Sequence, residues 1–191
     1  MSEMHGFARW WINRRTETRA RRSLRVLGDH LVLPPAARIL ELGCGGGGML
    51  ALLQERFRPA RLVGTDFDPM QVEVARTFLA RKFGAVPPSV ELRPGDALQI
   101  PYPDASFDAV FAMEMLHHVE AGHHDYVRRP QALREIRRVL LPGGLLVYSE
   151  FSRRPETRAT LAELGFVTVF LRSSWRVDRS ICRRPNAPTD A

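Results

Sequence analysis

The residues best suited to chemistry in this chain are carboxylates set beside glycines. In ILELGCGGGGML (39–50), five glycines fill six positions directly behind an apolar run, and Glu41 stands two places before the first of them. Losing Cβ atoms there lets a ligand approach the backbone, and a helix starting at that point offers it unpaired N–H donors. Gly43, Gly45 and Gly48 satisfy the GxGxxG dinucleotide spacing, although so glycine-rich a run fits several templates at once. Two more acids follow: Asp66 closes RLVGTD (61–66) and Asp96 closes SVELRPGD (89–96). An ionised carboxylate only accepts hydrogen bonds, so three of them on one crevice suit a ligand rich in hydroxyl and amino donors. A second cluster, EMLHHVEAGHHD (114–125), carries His117, His118, His123 and His124 beside Glu114. Imidazole titrates near neutral pH, which makes His118 the first candidate for a general base. The same histidines with Glu114 or Asp125 could also bind a divalent ion.

These residues need elements to hold them. ARILELG (37–43) reads as a buried strand, and MLALLQERF (49–57) as a helix with Leu50, Leu53 and Phe57 on one face. RLVGTD is a second strand. Asp68 then suits an N-cap and Pro69 the first position of the helix PMQVEVARTFLARKF, whose Met70, Val74 and Phe78 recur at i+4 and which Gly84 ends. SVELRPGD and FDAVFAME (107–114) read as strands three and four. A helix through QALREIRRVLL follows, with Leu133, Ile136, Val139 and Leu140 inward, and PGGLLVYSEF (142–151) supplies a turn and strand five. ETRATLAELGF gives a short helix, and VTVFLRSSW with RVDRSICRR a closing hairpin. Repeated βα units predict an α/β, doubly wound, Rossmann-like fold: a mostly parallel seven-stranded sheet with helices on both faces and a C-terminal β-hairpin. In such a sheet the carboxyl ends of successive strands line one crevice, which brings Glu41, Asp66 and Asp96 together.

With these motifs in order, the chain resembles the class I S-adenosylmethionine-dependent methyltransferases of the type 11-like kind. The likeness rests on ELGCGGG, VGTDFDPMQVEVAR, GDALQIPYPDASFDAVFAMEMLHHV and LREIRRVLLPGGLLVYSE, and spans roughly residues 36–170. It implies S-adenosyl-L-methionine as cofactor, with Gly43, Gly45 and Gly47 shaping the loop under its methionine part and Glu41 in the surrounding network. It further implies that Asp66 holds the ribose hydroxyls with Phe67 beside the adenine. Asp96 would accept from the adenine amino group, and the backbone of Ala97 would contact the ring. AMEML is similar to the ubiquinone-pathway O-methyltransferases, in which an acid, a second acid and a histidine help bind magnesium. Glu114 and His118 match that pattern and are the candidate catalytic pair, but His117 replaces the middle acid and is a poorer magnesium ligand, so no metal site is assigned. A nicotinamide cofactor would suit the glycine loop and Asp66 equally well. A dehydrogenase, however, needs a second domain or long insertions to present its substrate, and the sheet uses nearly all of this chain. A non-catalytic cofactor-binding subunit is the other alternative, motivated by the short acceptor region SEFSRRPET after strand five.

Composition bounds the rest. The 191 residues suit one domain, and 45% hydrophobic content with 26% charged residues is that of a globular protein. No apolar run reaches the roughly 18 residues of a membrane span, and the N-terminus lacks a signal-peptide centre, so a cytoplasmic location is expected. Cys44 and Cys182 are too few for a disulfide framework. Of the net charge of +7, residues 1–25 hold seven arginines against Glu3 and Glu17. Phe7, Trp10 and Trp11 share a helical face there, so residues 7–25 read either as a lid over the cofactor cleft or as a surface for peripheral contact with an anionic membrane. The organisation expected is a basic, aromatic helical segment over 1–35, a methyltransferase domain over 36–184 and a frayed tail over 185–191. A small-molecule or lipid-like acceptor is expected. Nucleic acid is disfavoured, since no base-stacking platform accompanies the arginines; oligomeric state is not encoded in any visible motif.

Overall fold

The computed structural model describes residues 16–119, 126–151, 155–174 and 177–186. Helix α1 (Thr16–Leu27) leads into β1 (Arg38–Leu42), α2 (Gly48–Phe57), β2 (Arg61–Asp66), α3 (Pro69–Phe83) and β3 (Val90–Pro94). There follow β4 (Phe107–Met113), a 3-10 turn (Leu116–His118), α4 (Arg129–Val139), β5 (Leu140–Phe151), α5 (Pro155–Glu163), β6 (Val167–Ser173) and β7 (Val177–Arg183). The seven strands form one sheet in the order β3-β2-β1-β4-β5-β7-β6. Pairing is parallel from β3 through β5, and β7 runs antiparallel to both its neighbours. The order reverses between β1 and β4, which opens a crevice at their carboxyl ends, where sheets of this topology take ligands.

Each face of the sheet has its own apolar layer. α1, α2 and α3 cover one with Leu24, Leu27, Leu50, Leu53 and Leu79, together with Ile39, Phe111 and Val147 from the strands. α4, α5 and the segment after β3 cover the other with Leu133, Ile136, Leu161 and Ile100 against Leu40, Val110 and Tyr148. The inward set expected for α4 is fully buried: Leu133, Ile136, Val139 and Leu140 have no exposed surface. Asp68 caps α3 through Met70 N at 2.9 Å, Pro69 starts that helix, and Gly84 ends it at φ 83°.

Two expectations change. In α3 the buried positions are Gln71, Val72, Ala75 and Leu79, and Met70 is 56% exposed, so the inward stripe is rotated from the one suggested by Met70, Val74 and Phe78. Two overlapping apolar stripes run along that helix, and the small Ala75 wins the inner place because Gly47 lies against its backbone. In β5, Pro142–Gly144 is not a turn ahead of the strand. Phe107 pairs with Leu140 and Ala109 with Leu145, so the PGG segment bulges inside a strand that has already begun, with Gly143 at φ 79°.

Candidate active site

The glycine loop folds because β2 supplies partners for its backbone. Cys44 N donates to Thr65 O at 2.9 Å, and Gly45 N donates to Asp66 Oδ2 at 2.8 Å. Gly43, Gly45 and Gly47 all have positive φ, at 70°, 48° and 79°. Their reasons differ. A Cβ on Gly43 would stand 2.8 Å from Met115 Cβ, and one on Gly47 3.1 Å from the Ala75 backbone, so these two permit protein packing. A Cβ on Gly45 would meet nothing within 4 Å, so this glycine faces the open crevice.

Two carboxylates lie against the loop. Asp66 accepts from Gly45 N through Oδ2 and from Asp68 N through Oδ1 at 3.0 Å. Burial pushes its carboxyl up, and the two backbone donors pull partly back. Glu41 is 3% exposed, and its Oε2 has no hydrogen-bond partner. Burial, followed by the charge on Asp66, raises its carboxyl well above the usual carboxylate range. An orphaned buried acceptor beside an open glycine fits a ligand that brings its own cationic donor.

The third acid joins them through the backbone. Gly95 N donates to Asp66 O at 2.9 Å, which sets Asp96 beside the end of β2, and Asp96 Oδ1 accepts from Leu98 N at 2.9 Å. Ala97 is buried next to it, and Phe67 is half exposed at the mouth. The loop carrying Asp96 and Ala97 is pinned to α4. Arg138 donates to Ile100 O and Tyr102 O, both at 2.8 Å, and Glu135 Oε2 accepts from Ile100 N at 2.8 Å.

Across the crevice, the end of β4 turns sharply at Glu114, a non-glycine at φ 56° whose N–H donates to Ser149 O at 2.9 Å. That turn places Met115 against Gly43 and starts the 3-10 turn of Leu116–His118. His118 is exposed, with its ring 4.0 Å from that of His117. His117 Nδ1 lies 2.9 Å from Glu150 Oε1. Glu150 is 1% exposed, and Arg129 Nη1, which donates to Thr157 Oγ1 at 2.9 Å, stands 3.9 Å from its second oxygen. The His117–Glu150 couple is absent from the sequence reading. Its only signal there is an acid at the end of strand five, a neighbour of the histidines once β4 and β5 pair. His123, His124 and Asp125 lie outside the described residues; among the described ones, no three His, Cys, Asp or Glu side chains group as metal ligands.

A family described as a methyltransferase domain matches residues 40–148, which runs from the glycine loop into β5 and takes in the first three motifs and the fourth as far as Tyr148. The chain belongs to the class I S-adenosylmethionine-dependent methyltransferases. This membership decides between the two cofactor classes that the glycine loop and Asp66 left open. The methyltransferase domain is 40% identical over 114 residues to the demethylmenaquinone methyltransferase of Deinococcus radiodurans, covering 60% of this chain and 43% of that one. It is 36% identical over 129 residues to the fatty-acid O-methyltransferase of Mycolicibacterium smegmatis, covering 66% and 42%. In both cases the match spans less than half of the relative's length. A solved S-adenosylmethionine-dependent methyltransferase from Aquifex aeolicus shares the fold, with a TM-score of 0.74 and 17% identity over 95% of this chain and 100% of that one.

Proposed function

We propose that this protein transfers the methyl group of S-adenosylmethionine to a small-molecule or lipid-like acceptor. The observation that carries the reading is the unpartnered, buried Glu41 Oε2 beside the open face of Gly45, at the strand switch point. A cationic amino group is the partner that such an oxygen lacks. Asp66, held by Gly45 N and Asp68 N, presents its remaining acceptor capacity to a ribose diol, and Asp96 and Ala97 border the adenine with Phe67 beside it. When bound, the cofactor supplies an electrophilic methyl on a sulfonium whose charge is lost in the transfer. The names of the two relatives, one acting on a demethylmenaquinone and one on fatty acids, favour a lipid-like acceptor.

The chain's own residues supply alignment and a place for the acceptor's proton. Glu114, Met115 and the Leu116–His118 turn face the glycine loop. His118 stands exposed to the acceptor, while His117 behind it has a carboxylate partner that orients its ring, as the carboxylate of a catalytic dyad orients its base. Proton removal belongs to this stacked pair.

Calorimetry with S-adenosylmethionine and S-adenosylhomocysteine tests the cofactor. Micromolar binding to the wild type, lost in a folded Asp66→Ala variant, is expected. A folded wild type that binds neither would sink the reading. With a turned-over acceptor in hand, His117→Ala and His118→Ala separate the two imidazoles; full turnover in both would remove the proton role.

A further inference from the structure

Arg22, Arg172 and Arg179 gather on the side of the sheet near Glu114. The register across the sheet sets Met113 of β4 beside Ser149 of β5, Ser149 beside Arg179 of β7, and Arg179 beside Arg172 of β6. Directly paired residues share a face of the sheet, and strands lie about 4.8 Å apart, so Arg179 stands about 10 Å along this row from the end of β4. The face is the one that α1 covers: Arg179 Nε donates to Ser23 Oγ at 3.2 Å, and the preceding α1 residue is Arg22. Phe170, two places before Arg172, stacks on His30 at 4.5 Å on the same side.

Arg179 is partly buried and feels both other guanidiniums. Burial lowers its pKa, Glu114 works the other way, and Arg22 and Arg172 add their repulsion. Arg172 and Arg179 are directly opposite, an arrangement that costs stability for like charges. Among the described residues neither Arg22 nor Arg172 makes an ion pair. Positive charge gathered in this way, at one end of a crevice and partly desolvated, is the electrostatic complement of an oxyanion.

We propose that Arg22, Arg172 and Arg179 form an anion site at the acceptor end of the crevice, so that the methyl acceptor is a lipid-like molecule bearing a carboxylate or phosphate group. The proposal rests on the methyltransferase reading for the word acceptor, but the anion site stands or falls separately. The fork of Arg179, fixed by Ser23, gives direction, while the exposed Arg22 and Arg172 raise the local anion concentration.

The probes are decanoate, decyl phosphate and decanol, titrated below their aggregation limits with and without S-adenosylhomocysteine. At least one anionic probe is expected to bind ten-fold or more tightly than decanol, with affinity falling as salt rises. Preference for decanoate or for decyl phosphate separates a carboxylic from a phosphorylated acceptor. Arg179→Gln is expected to weaken anion binding about ten-fold while leaving decanol and S-adenosylhomocysteine unchanged. Arg172→Gln, on an exposed edge strand, gives the same direction if Arg179→Gln disturbs α1. Anion affinity equal to that of decanol, no anion binding by the wild type, or wild-type anion affinity in both variants would overturn the proposal. Loss of S-adenosylhomocysteine binding in the wild type would strike the methyltransferase reading alone, because the titrations without it still judge the arginines.

Discussion

Glu41 joins the stability of the protein to its ligand through one proton. Its carboxyl is raised in the fold above the ordinary 4.5 by burial and by Asp66, so the native state keeps a proton that the unfolded chain releases. Stability from this group is therefore full below pH 4.5 and is lost as pH rises from there towards the raised folded value. Asp66, also raised, adds a slope of the same sign. A cationic ligand favours the ionised form, so S-adenosylmethionine binding should tighten over the same range. Glu41→Gln is expected to flatten the fall of melting temperature as pH rises above 4.5 and to remove most of the pH dependence of binding. Thermal melts and calorimetry across that range check both, and a variant with the wild-type slopes would show that Glu41 is not the group responsible. Gly43 and Gly45 make a similar point about reading single residues: one is glycine because of Met115, the other because of open space.

Elements place these residues by holding loops from outside the crevice. Arg138 of α4 ties down the loop after β3 through two carbonyls and Asp104 Oδ1, while also pairing with Glu135. Hydrogen bonds from a charged donor to part-buried carbonyls contribute about 1.5–3 kcal/mol, so Arg138→Met should lower unfolding free energy by about 2 kcal/mol. Because Asp96 and Ala97 ride on that loop, S-adenosylhomocysteine affinity should fall several-fold too. Urea unfolding with calorimetry tests this, and unchanged values in both would show that the loop holds itself. Such clamps explain what could be read in advance. The glycine loop, the strand-end acids and the Asp68–Pro69 start of α3 are local patterns of neighbouring residues, and they were legible. The inner face of α3 was not, because two apolar stripes overlap and only the contact of Ala75 with Gly47 chooses between them. The PGG bulge hid behind a proline that reads as a break. His117 and Glu150 are brought together by the β4–β5 register, which no local spacing encodes.

At the scale of the whole molecule, α1 is part of the domain's fabric: Ala20, Leu24 and Leu27 sit in the same apolar layer as the strands. The lid or membrane role of Phe7, Trp10 and Trp11 lies outside the described residues, and no helix among the described residues is long and apolar enough to cross a membrane. The two cysteines divide the molecule between them. Cys44 is buried in the glycine loop, where burial and the charges of Glu41 and Asp66 hold its thiol protonated. Cys182 is buried in β7 between Leu146 and Thr168, its thiol also raised by burial. Neither can react with a thiol reagent until its surroundings open. The chain thus carries two internal clocks, one timing the cofactor loop and one timing the sheet. Under a maleimide pulse followed by peptide mapping, Cys44 should label faster than Cys182, and S-adenosylhomocysteine should slow Cys44 more than Cys182. Equal rates would mean that the loop opens only when the sheet comes apart.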